Sequence, residues 1–149
     1  MAVSVGDEIT AAQFNGLQSR VANIMGTGSG TDGYGQSLAS SQVIVTNLVQ
    51  ASDFDNLRTD INKANNHQSG SNAGIGDIAA GQVIGADASG TSVGSLTVTD
   101  EGFNDYDSAI TNIESNKFLI DAGNSSVEAG TSSTRTTNWN GTITHVFTV

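Results

Sequence analysis

The stretch ITAAQFNGLQSRV, residues 9–21, returns as VQASDFDNLRTDI at 49–61 and as VTDEGFNDYDSAI at 98–110. Each copy opens on an aliphatic residue, Ile9, Val49 or Val98, and reaches Phe14, Phe54 or Phe103 after four others. An apolar residue follows each Phe at plus three and a β-branched one at plus seven. The series Phe14, Leu17, Val21, Ile24 and the series Phe54, Leu57, Ile61, Ala64 step by three, four and three, which lines up one stripe along a helix. The third copy extends the stripe through Phe103, Tyr106, Ile110, Ile113 and Ile120, with Lys117 interrupting the seam.

The starts of these helices are marked as well. Thr10 and Thr99 stand where a hydroxyl can cap a free helix N–H, and Gln13 completes a capping box behind Thr10. In the second copy Gln50 takes the matching place, with Ser52 as a second candidate cap. The aliphatic residue before each cap is placed to staple onto its Phe. Asp53, Asp55, Asp100 and Glu101 suit helix starts, Lys63 and Lys117 suit helix ends, and Gly26 and Gly70 suit stops. The expectation is three helices over about 10–25, 50–66 and 99–118.

Between them lie long linkers rich in Gly, Ser, Ala and Thr and without Pro, in which QVIV at 42–45 and SLTV at 95–98 are expected as short strands. Linkers of that length can run back along a whole helix, so the three helices can be parallel, with Phe14, Phe54 and Phe103 forming one layer. Beyond residue 124 the texture changes. TSSTRTTNW and TITHVFTV flank Asn140-Gly141, a dipeptide that accepts the positive φ of a type I′ turn, so a β-hairpin is expected over about 131–149. The fold class expected is α+β, in one domain spanning 1–149.

Composition limits what this domain can do. Only 34 of 149 residues are Leu, Ile, Val or Phe, about 23%, against 18 Gly, so neighbouring subunits are expected to supply burial that one chain lacks. The net charge is -10 and the cations Arg20, Arg58, Lys63, Lys117 and Arg135 are scattered, which leaves no basic surface for nucleic acid. Cysteine is absent, and neither a signal-peptide pattern nor a membrane-spanning apolar run is present, so no membrane insertion is expected.

The chemical motifs are thin. GSGTDG, residues 28–33, matches the letters of a dinucleotide fingerprint but follows a helix and opens none, so it reads as a loop. Asp53, Asp55 and Asp60 lack the central Gly and terminal Glu of a calcium loop. His67 and His145 have no patterned partner for metal binding or for a triad, and Asp105 and Asp107 face different sides of a helix. The sequons at Asn124 and Asn140 are expected to be unused, and Trp139 to anchor the hairpin. No catalytic, cofactor-binding or metal-binding residue is assigned, and the chain is read as a non-enzyme.

Taken together, ITAAQFNGLQSRVANIMGTGSGTDGYGQS, ASDFDNLRTDINKANNHQSG and RTTNWNGTITHVFTV resemble a family of virion structural proteins of contractile-tailed marine cyanophages. The likeness covers both ends and most of the middle. It implies a bacteriophage particle component associated with tail or fibres, assembled in the host cytoplasm as a homo-oligomer beside other virion proteins, with no catalytic residues to carry over. Members of that family continue past the hairpin into further strands. A second reading is a receptor- or glycan-binding adhesin module of a tail fibre, with the loop around Tyr34 as its contact with host surface glycan.

Overall fold

In the computed structural model, residues 3–4, 8–26, 34–80, 82–86, 92–93 and 96–117 are described. The expected hairpin, with Trp139, Asn140, Gly141 and His145, lies outside them, as do the 28–33 motif, Ile120 and Asn124. The described residues form three helices, α1 (Ala11–Met25), α2 (Ala51–Ser69) and α3 (Phe103–Ser115), and three strands, β1 (Val83–Gly85), β2 (Ser92–Val93) and β3 (Leu96–Gly102).

The repeated stripes are the core. Phe14, Leu17, Val21 and Ile24 of α1, Phe54, Leu57, Ile61 and Ala64 of α2, and Phe103, Tyr106, Ile110 and Ile113 of α3 are all buried in one cluster. Burying side chains of this size contributes roughly 1.5–3 kcal/mol each, so the three stripes are the main source of cohesion. Phe54 sits at the junction. Its ring centroid is 5.2 Å from Phe14, 6.5 Å from Phe103 and 5.2 Å from Tyr106, every contact edge-to-face. Such pairs add to simple burial because the positive ring edge meets the negative face.

Those contacts also set direction. Near the helix starts, Phe54 meets Phe14 and Phe103; near the ends, Gln68 Nε2 of α2 donates to the Ile113 carbonyl of α3 at 2.8 Å. Tyr34, whose N–H donates to the Ile24 carbonyl at the end of α1, receives a second bond from Gln68 at the end of α2. Starts meet starts and ends meet ends, so the helices run in one direction.

The caps follow the sequence for α1 and depart from it for α3. Thr10 Oγ accepts from the Gln13 N–H at 3.3 Å while the Thr10 N–H donates to Gln13 Oε1 at 2.8 Å, a complete capping box. At α2 the cap is Gln50, whose N–H donates to Asp53 at 2.8 Å; Ser52 lies inside the helix. Ile9 and Val49, the expected staples, are partly buried against the core. Gly70, one of the expected stops, closes α2 with φ 75, the left-handed conformation glycine adopts without strain, and the last helical residue, Ser69, lies three beyond the expected end at 66. Gly26 ends α1 in an extended conformation.

For α3 the expected start at Thr99, with Val98 as its staple, is wrong. Both residues belong to β3, and the helix begins at Phe103 behind Gly102, whose N–H donates to Asp105 at 2.7 Å. In the run Leu96-Thr97-Val98-Thr99 three residues are β-branched, and the run finds a partner, because β1 pairs with β3 in parallel at Val83↔Val98. β2 pairs antiparallel with β3, giving the order β1-β3-β2. The helix also stops at Ser115, so Lys117 follows it in a turn. Of the expected linker strands, SLTV falls in β3 from Leu96 on, while QVIV at 42–45 is not a strand: no neighbouring strand lies beside it among the described residues.

Candidate functional site

Parallel helices require each linker to climb back from the end of one to the start of the next. The first linker does so in the groove between α1 and α2, held by polar side chains at successive heights. Tyr34 is tied to Ile24 and Gln68 at the bottom; the Ser37 carbonyl accepts from Lys63 Nζ at 3.1 Å; the Ala39 and Ser40 N–H groups donate to Asp60, each at 2.8 Å. Gln42 reaches Ser19 at 3.0 Å, and Val43 is gripped at both backbone groups by the Asn15 amide, its N–H and its carbonyl each at 2.8 Å.

The other extended segments use the same device. Asn104, one residue after Phe103 as Asn15 is after Phe14, bonds both the N–H and the carbonyl of Val3, at 2.9 and 3.0 Å. The second linker climbs between α2 and α3, from the Ala73 N–H on Asn62 at 2.9 Å to the Gly76 carbonyl on Tyr106 Oη at 3.2 Å and the Ala86 carbonyl on the Asn104 N–H at 2.8 Å. A carboxamide suits the double grip because it carries a donor and an acceptor side by side, as a strand neighbour does. Asp55, the matching residue of α2, has only acceptors when ionised and pairs with Arg58 at 3.1 Å instead.

Six residues after Phe the copies diverge. In α2 that residue is Asp60, fully buried, accepting from Ala39 and Ser40 with Lys63 3.8 Å away. In α1 it is Arg20, which bridges to α3 with its guanidinium on Glu114 at 2.8 and 2.6 Å, on Thr111 at 2.9 Å and on Asp107. One groove is therefore bound by a carboxylate holding the linker, and another by a cation holding the next helix. Arg20 holds the Glu114 carboxyl below the usual range although burial opposes it. Burial likewise opposes ionisation of Asp107, and its bonds to cations, Arg20 among them, outweigh that and lower its pKa. The arrangement keeps the Arg20 guanidinium protonated.

The residues singled out from sequence have separate tasks. Asp53 caps α2, Asp55 pairs with Arg58 and Asp60 anchors the linker, so the three do not converge; Asp105 caps α3 and Asp107 meets Arg20. No group of three or more His, Asp or Glu among the described residues is placed to hold a metal ion. Tyr34, expected as an exposed contact, is buried at 9% exposure, its hydroxyl donating to the Lys117 carbonyl and accepting from Gln68 at 2.7 Å. His67 lies against the Tyr34 ring with centroids 4.5 Å apart, and burial lowers its pKa below 6.5.

Two surfaces are then candidates for function. One is an open polar groove of about 550 Å³ beside α2, lined by residues including Gln36, Arg58, Asn62, Lys63, Asn66 and His67. Its cations are already engaged, Arg58 by Asp55 and Lys63 by the Ser37 carbonyl, and so is Asn62, whose Oδ1 accepts from the Ala73 N–H. The other is the outward face of the first linker, where Ile44, Val45 and Leu48 are 68%, 76% and 83% exposed although their neighbours are anchored to the bundle.

The anchoring residues were missed because each is a lone polar letter whose partner is far along the chain. A usable signal existed. Val3, Val43 and Val83 are forty residues apart, and Gln42-Val43-Ile44 repeats as Gln82-Val83-Ile84, so the repeat includes the extended segments as well as the helices. No family model, no curated protein and no solved structure matches this chain.

Proposed function

We propose that this chain is a non-enzymatic structural protein of a bacteriophage virion, which assembles with copies of itself into a symmetric homo-oligomer beside other virion proteins. The observation that carries the assembly reading is the outward linker face. Ile44, Val45 and Leu48 stand in water on a segment fixed by Asn15 and Asp60, a costly arrangement for an isolated subunit and an economical one for a subunit that docks. The resemblance to tail and fibre components supplies the virion setting and the host-cytoplasm site of assembly. Sedimentation velocity of the intact chain tests the reading: a discrete oligomer at micromolar concentration supports it, and a cooperatively folded monomer overturns it.

The second reading, a glycan-binding adhesin module, is favoured by the groove beside α2, since Gln36 and Asn72 on its lining are carboxamides, which bond sugar hydroxyls in both senses. The contact then belongs to this groove and not to the buried Tyr34 ring. A glycan array separates the two readings: specific binding lost in Gln36→Ala supports the adhesin, and a blank array removes it.

A further inference from the structure

The exposed face at 42–48 differs from its counterpart forty residues later in what pairs with its backbone edge. At 82–84 the same Gln-Val-Ile has its backbone edge paired in cis by β3, which runs parallel to β1 at Val83↔Val98, and Ile84 packs against the core. The covering strand belongs to extra sequence that only the third copy has, since Phe103 lies forty-nine residues beyond Phe54 whereas Phe54 lies forty beyond Phe14. The first linker has no such insert. Its Gln-Val-Ile is left with Ile44 and Val45 in solvent, and no strand lies on it among the described residues.

The backbone there is disposed for pairing. Asn15 takes both the N–H and the carbonyl of Val43, which requires an extended residue with both groups directed at α1. In an extended chain the polar groups of successive residues point to opposite sides, so those of Gln42 and Ile44 are directed outward. The Ile44 carbonyl accepts from Asn47 at 2.8 Å, while the N–H groups of Gln42 and Ile44 have no partner among the described residues. Charge selects the occupant. Residues 33–52 include no charged side chain, the longest such run in a chain of net charge -10, so this is where two copies can approach with least repulsion.

We infer that residues 42–48 form a self-complementary docking edge, at which a second copy of this chain adds its own Gln42–Val45 segment as an antiparallel strand about a twofold axis. Ile44, Val45 and Leu48 are then covered by their equivalents. The inference rests on the homo-oligomer reading above and names the surface that reading uses.

The test is sedimentation velocity on the intact chain and on Ile44→Lys, Leu48→Lys and Ser108→Lys, with thermal melts recorded alongside. Ser108 is exposed on α3, away from the edge in sequence, and controls for the added positive charge. The wild type and Ser108→Lys should associate alike, whereas Ile44→Lys and Leu48→Lys should weaken association at least about tenfold while still melting cooperatively, because both side chains are already in water in the single chain. Amide exchange at Gln42 and Ile44 should slow as wild-type concentration rises. If all four proteins associate equally and those amides exchange at one rate, the edge is not the interface, and the homo-oligomer reading survives without it. If the wild type is a monomer throughout, both fall together.

Discussion

Asn15 shows how much of the fold depends on single polar side chains. Its amide substitutes for a neighbouring strand, satisfying the N–H and the carbonyl of Val43 at once, and it fixes the top of the first linker to α1. Asn15→Asp keeps the shape and removes the donor, leaving a carboxylate opposite the Val43 carbonyl. Loss of one partly buried bond with repulsion in its place should cost about 1–3 kcal/mol, and Asn15→Ala a similar amount. Chemical denaturation would register either, and an unchanged midpoint would mean that the grip does not stabilise the fold. His67 allows a second prediction. Its folded-state pKa lies below the unfolded value of 6.5, so the neutral form is favoured on folding; this contribution is present above pH 6.5 and lost as pH falls through it. Tm should therefore drop on moving from pH 7.5 to about 5.5, and the drop should shrink in His67→Gln. The lowered values of Asp107 and Glu114 act in a separate window, with stability lost only as pH falls below their ordinary values of 3.8 and 4.5.

At the scale of elements, the apolar stripes were legible and the polar fastenings were not. Phe14, Leu17, Val21 and Ile24 announce a helix face because a period near 3.6 is visible in one window, and every member of the stripe is buried. Thr10 and Gln13 are equally local, and their capping box forms as read. The start of α3 failed because Thr99, Asp100 and Glu101 carry the signature of a helix start while Leu96 to Thr99 carry that of a strand. Pairing with β1, more than ten residues away, decides between them, and no local window includes it. Asp60 was illegible for the same reason: it stands in the middle of α2, and its donors are twenty residues earlier. Phe54 is where the helix faces meet, its ring against Phe14, Phe103 and Tyr106. Phe54→Ala should cost about 3–5 kcal/mol by leaving a cavity at that junction, whereas Arg58→Ala, which breaks a half-exposed pair with Asp55, should cost well under about 1. Equal losses in a urea melt would contradict the central place given to the Phe54 ring.

On the scale of the molecule, three similar helices point one way and the chain between them climbs two grooves, α1/α2 and α2/α3. Arg20 spans the remaining one, between α1 and α3. The extended segments shift by one helix around the bundle, Val43 onto α1 and Val3 onto α3. Direction is the claim on which this account depends, because antiparallel helices would leave the linkers nothing to climb and would separate the Phe rings. Spin labels at the exposed positions Ala12, Ser52 and Ser69 test it directly, by pulsed dipolar distances from Ala12 to each of the other two. Ser52 and Ser69 lie seventeen residues apart on α2, roughly 25 Å along the axis at about 1.5 Å per residue. The account predicts that Ala12 lies much closer to Ser52 than to Ser69; the reverse order would contradict a parallel bundle.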